Sequence, residues 1–185
     1  MENQASPEII NYDDTPVPMW KSALTYGVYY AVLGIAITVI FYATGNILSK
    51  ALQPVGVAIM VAAIVAIQLT YRKQLGGYIS YGQALSVAVF SMFFASVISS
   101  VFTYLLYAVI DPGLIEQIRL ATEEQLYERG MSDEQIAAAM QISAKFQSPL
   151  IIAISGLFAA PFFALIIGLI TSIFIKKNDP EKIFE

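Results

Sequence analysis

The chain has 185 residues, 57% of them apolar and 13% charged, about half the charged share of a soluble domain. It contains no cysteine and no histidine, which excludes disulfides, thiolate chemistry, the commonest general base and the commonest transition-metal ligand. A net charge of −4 with no basic run argues against a nucleic-acid partner.

The charges are clustered, and long runs between the clusters hold none. A helix needs about 20 apolar residues to cross ~30 Å of hydrocarbon. Four runs meet that requirement, and a backbone in lipid must satisfy its own N–H and C=O groups, so each reads as a helix. The expected fold is an all-α, four-span bundle in one membrane domain over residues 1–185.

The first 19 residues carry Glu2, Glu8, Asp13 and Asp14 and no base. Signal peptides open on a basic segment with a short apolar core. The run that follows, Ser22 to Thr44, is longer and reads as an uncleaved span over about 20–44. Val55 to Tyr71 gives the second span, about 54–72, ended by Arg72 and Lys73. It is the shortest, and a re-entrant hairpin is its alternative reading. It shows small residues at Ala58, Ala62 and Ala66. Gly76-Gly77 then breaks the chain between two helices; it lacks the Lys-Ser/Thr ending of a phosphate loop.

The third span covers about 81–110. Ser91, Ala95 and Ser99 repeat at four-residue spacing. Ser96, Ser100, Thr103 and Tyr107 share one face of its second half, and with Tyr26, Tyr29, Tyr30 and Thr38 they form either a polar cavity or hydrogen-bonded contacts between helices.

Residues 111–148 hold seven acids and three bases and read as a helical hairpin outside the membrane. Asp111 caps a helix beginning at Pro112 and running to Arg129, with Gly130 at its C-terminal cap. Ser132 and Gln135 form a capping box for a second helix that continues through Phe146 to Pro149. The stripes Leu114, Ile115, Ile118, Ala121 and Ile136, Ala139, Met140, Ser143 are amphipathic. They either pack together and on the span ends or present a docking surface for a protein partner. Tyr127 and Met131, beside the turn, are the candidate contacts. The carboxylates Glu123, Glu124 and Glu128 follow helix-surface spacing and do not converge, so no catalytic site and no cofactor is expected.

The fourth span covers about 149–175. Gly156, Ala160, Ala164, Gly168 and Ser172 recur every four residues, a groove for close helix packing within the bundle or along a homo-oligomer seam. Pro161 removes a backbone hydrogen bond in mid-span and is a candidate hinge. The charge-free runs inside the spans contain no carboxylate and no basic side chain, the usual machinery of proton and ion relays.

Lys21, Arg72, Lys73, Lys176, Lys177 and Lys182 lie on the side of the termini, and Lys50, Arg119, Arg129 and Lys145 on the other. The positive-inside rule then places both termini in the cytoplasm.

Trp20-Lys21-Ser22 with Tyr26-Gly27, the segment Gly76-Gly77-Tyr78-Ile79-Ser80-Tyr81-Gly82-Gln83-Ala84, Ile110-Asp111-Pro112 and Gly130-Met131-Ser132-Asp133-Glu134-Gln135 together resemble the Bacteroidetes-type bacterial membrane-protein family of domain of unknown function 4199. The resemblance spans nearly the whole chain. It implies a four-span protein of the inner membrane in contact with the lipid bilayer, and it brings no catalytic residues. The functional expectation is a non-enzymatic scaffold or regulator that binds a partner through its hairpin. The alternative is a small oligomeric transporter or channel using the polar faces of spans one and three.

Overall fold

The computed structural model describes residues 18–49 and 53–178. Six α-helices follow in order: α1 Met19–Ala43, α2 Gln53–Gln74, α3 Tyr81–Leu105, α4 Gly113–Glu128, α5 Asp133–Ala144 and α6 Pro149–Ile175. Four helices, α1, α2, α6 and α3 with its continuation to Ile110, are long and apolar enough to cross a membrane. The chain is a helical membrane bundle.

The third span ends on a π-helical turn, Leu106–Ile110, where the Asp111 amide donates to the Leu106 carbonyl at 2.8 Å. Apolar periodicity carries no sign of that change in winding.

Helix α3 is the centre. Helices α1 and α6 pack along different faces of it, and α2 joins through α3 and α6. Small residues permit this. Ala84, Val87, Ala88, Ser91 and Met92 are fully buried along α3. On the α1 side, a Cβ added at Gly27 would lie 2.6 Å from the Ser91 carbonyl oxygen and 2.8 Å from Phe94 Cβ. On the α6 side, Ala164 and Ser172 are fully buried, and a Cβ at Gly168 would meet Leu85 Cδ1 at 3.0 Å. Large apolar side chains point away from this centre: Tyr29, Phe158, Phe162 and Phe174 are exposed, as lipid contact requires.

The small-residue stripe of α2 does not pack within the bundle. Ala58, Ala62 and Ala66 are exposed, while Ile64, Ile67, Gln68 and Tyr71 are buried. Ala66 and Gln68 lie two residues apart and so on opposite sides of a helix with 3.6 residues per turn. Side-chain volume, not smallness, chose the packing face here.

The hairpin differs from expectation at three boundaries. Helix α4 begins one residue later, at Gly113, and Asp111 caps it by accepting from the Gly113 amide at 3.1 Å. It ends at Glu128, with Arg129 as its C-cap. Helix α5 stops at Ala144 instead of reaching Pro149. The Lys145 and Phe146 amides turn back to Ile142 and Ser143, which tightens the last turn. Ser148 then caps α6 through the Ile151 amide. Between α4 and α5, Gly130 takes φ +76°; the Met131 amide reaches the Leu126 carbonyl and the Gly130 amide the Tyr127 carbonyl, a Schellman ending. Ser132 and Gln135 form the capping box.

The glycines give a graded test. Gly27→Ala pushes a methyl into backbone that cannot yield and should cost about 1–3 kcal/mol. Gly156 has nothing within 4 Å of an added Cβ, so Gly156→Ala should be neutral or slightly stabilising. Thermal unfolding in detergent should rank Gly27→Ala well below wild type and Gly156→Ala beside it. Equal melting temperatures would contradict the close α1–α3 approach.

Candidate functional site

Pro161 lies inside a continuous α6. It has no N–H, so the carbonyl of Leu157, four residues earlier, loses its helical partner. The structure supplies a replacement. The Ser96 hydroxyl of α3 lies 3.1 Å from the Leu157 oxygen and 2.8 Å from the Phe93 carbonyl of its own helix. A Ser or Thr hydroxyl commonly takes up a backbone group freed by proline in a membrane helix. The candidate hinge is thus tied to α3 at the carbonyl the proline exposes.

Around this contact is a small cavity of about 90 Å³ lined by Tyr30, Ser96, Ser99, Ser100, Thr103, Gly156 and Ala160 among others. Three of the four residues proposed for the polar face, Ser96, Ser100 and Thr103, therefore come together, and Tyr30 of α1 joins them. Tyr107 lies on the π-helical turn, outside this lining. Of the other α1 candidates, Tyr29 is 69% exposed. Thr38 hydrogen-bonds to Gly34, and the Tyr26 hydroxyl is buried with no partner among the described residues. The ladder on α6 divides: Ala164, Gly168 and Ser172 are buried, whereas Gly156 and Ala160 form one wall of the cavity.

At the hairpin, Tyr127 is 52% exposed and Met131 partly buried. The neighbouring Asp133 carboxylate, with burial and Glu123 adding to it, pushes the Tyr127 phenol above its ordinary pKa. Leu120, two turns before Tyr127, is also exposed, as are Ile142 of α5 and Phe146 in the turn after it. Helix α4 pairs with α5 and with the π-helical turn, and its buried residue is Leu114 in the first turn. Asp111 joins the hairpin to the bundle: one carboxylate oxygen accepts from Gly113, the other from the Tyr42 hydroxyl of α1 at 3.1 Å. On the exposed face of α4, Arg119 forms an ion pair with Glu116 at 3.0 Å.

The most connected polar group was absent from the sequence reading. Gln68, in mid-α2, is fully buried. Its amide nitrogen donates to the Ala84 carbonyl at 3.1 Å and to the Ser172 hydroxyl at 3.0 Å, joining α2, α3 and α6. Around it the ends of the helices are stitched together. Arg72 donates to the Ile175 carbonyl at 3.2 Å, a cation at a helix C-terminus. Ser22 donates to Gln74 at 2.9 Å, and Tyr81 to the Leu169 carbonyl at 3.2 Å. Ile79 and Lys177 exchange both backbone hydrogen bonds at 2.9 Å in an isolated antiparallel bridge, and Lys177 lies over the Tyr78 ring at 5.3 Å. The available signal was a lone glutamine in a charge-free run, since a polar side chain in hydrocarbon needs a partner. Among the described residues there is no His, Cys, Asp and Glu grouping suited to a metal ion.

The family model described as "Protein of unknown function (DUF4199)" matches residues 25–177. The chain belongs to that family. No curated protein and no solved structure matches it.

The Ser96–Leu157 bond yields a double-mutant test. Ser96→Ala strands a carbonyl in the bundle and should lower stability by about 0.6–1.7 kcal/mol, the range of membrane-helix hydrogen bonds. Pro161→Ala restores the Leu157 partner within α6, so Ser96→Ala should cost little in that background. Equal costs in both backgrounds, measured by unfolding in detergent, would show that Ser96 does not serve the proline.

Proposed function

We propose that this family member is a non-enzymatic protein of the bacterial inner membrane that scaffolds or regulates a protein partner through its hairpin. Both termini face the cytoplasm and the hairpin faces the periplasm, as the distribution of Lys and Arg favours. The observation that carries this reading is the manner of the hairpin's attachment. It is joined to the bundle at its two ends, with α4 meeting the π-helical turn that closes the third span, and leaves Leu120 and Tyr127 exposed on one face of α4. Exposed apolar groups rimmed by charge mark interaction sites, and tyrosine is enriched where partners bind.

A second reading, an oligomeric transporter, is favoured by the hydroxyl-lined cavity beside Pro161. Against a route through one copy stands the filled centre: α3 presents fully buried Ala84, Val87, Ala88, Ser91 and Met92 to its neighbours. A transport path would have to lie between copies.

Replacing residues 113–147 by a flexible linker of equal length should leave the spans inserted, because each is long enough alone. The partner recovered with the native protein from bacterial membranes should then be lost, and Tyr127→Glu in the intact chain should weaken its recovery. If the linker variant inserts and retrieves the same partner, docking through the hairpin is wrong. Flux in vesicles that survives the replacement would favour the transporter.

A further inference from the structure

We propose that a cleft between the end of α1 and the free flank of α4 binds an uncharged, hydroxyl-bearing amphiphile taken from the adjacent lipid leaflet. The cleft encloses about 400 Å³, within the range of small-molecule sites. Its floor is apolar, from Ile37 and Phe41 of α1 and Ile118 of α4; Thr38, Ser49, Thr122 and Gln125 supply its polar groups. Hairpin attachment explains why it is open: α4 meets the bundle at its first turn and does not pack along α1.

The lining specifies the ligand. Among the described residues none that lines it is charged, and burying an ionised head without a counter-charge is costly. Glu123 and Glu124 lie between the cleft residues Thr122 and Gln125 in sequence, which disfavours an anion. The Thr38 and Thr122 hydroxyls already donate to Gly34 and Ile118 of their own helices, so toward the cleft they offer oxygen lone pairs. The Gln125 side chain is partly exposed, lines the cleft and offers both a donor and an acceptor. An alcohol fits this set, donating to a threonine and accepting from the glutamine amide.

Position supplies the source. About 20 residues of helix cross the hydrocarbon, so counting from Trp20 the boundary falls near Ile40. Ile37 and Phe41 therefore stand where acyl chains meet headgroups, and α4 lies just beyond. A chain from the leaflet reaches Ile37 and Phe41 while its head reaches Gln125.

The test uses the full-length protein in phospholipid nanodiscs with a diazirine-bearing monoacylglycerol, followed by peptide mapping. Labelling should concentrate on residues 37–49 and 113–129 and be displaced by excess unlabelled monoacylglycerol. Ala121→Trp fills the cleft and should reduce labelling to the level of the lipid-facing part of α6. Gln125→Leu should weaken it about fivefold, the loss of one hydrogen bond. Label spread evenly over the lipid-facing helices, or not displaced on the native protein, overturns the site. A fatty acid of equal chain length labelling as strongly overturns the uncharged head.

Discussion

A polar group left without a partner in hydrocarbon is costly, because no water is there to take its hydrogen bond. Most of the cross-helix bonds in this fold answer that constraint. Pro161 strands the Leu157 carbonyl, and Ser96 of α3 meets it. Gln68 enters an apolar helix, and Ala84 and Ser172 from two other helices meet its nitrogen. The last carbonyls of α6 have no helical partner, and Arg72 takes one of them. Each solution ties α6 to a neighbouring helix, so satisfying the backbone and assembling the bundle are the same event. The apolar surface does less to choose partners, since lipid tails are as apolar as leucine.

The two ends of the bundle are built differently. At the end that holds Met19 and Lys177, the α2–α3 turn is bound to the end of α6 by a two-bond backbone bridge, and Ser22 fastens α1 to α2. At the hairpin end, Asp111 and the buried first turn of α4 make the connection. One end is a clasp; the other presents a helix pair on a narrow attachment. That asymmetry suits a fixed base carrying a projecting recognition element. It also leaves the gap beside α1 that an amphiphile can enter.

The spans were legible because charge is expensive in the membrane, so Arg72, Asp111 and Lys176 mark boundaries almost by themselves. The hairpin turn was legible because Gly130, Ser132 and Gln135 act locally. What the sequence could not reveal depends on which face meets which. Ala58, Ala62 and Ala66 have the spacing of a packing groove and face outward, while the bulkier Ile64 and Ile67 face in. Gly27 is one glycine among 11, and only the position of Ser91 across from it shows that no side chain fits. In the sequence Ser96 belongs to a polar face and Pro161 is a candidate hinge; that one serves the other depends on two residues 65 positions apart being neighbours. The backbone bridge at Ile79 leaves no side-chain pattern at all.

Polar bonds lock the α2–α3 turn onto the end of α6, while the hairpin end is held by fewer contacts. Amide hydrogen exchange in nanodiscs measures this directly, because an exchange rate reports how often a hydrogen bond opens. The Ile79 and Lys177 amides, which lie outside every helix and donate to each other's carbonyls, should exchange orders of magnitude more slowly than those of Ile47 and Leu48 in the turn after α1. Comparable, rapid exchange in the two turns would mean that the clasp is not formed in the membrane, and the account would fail at its base.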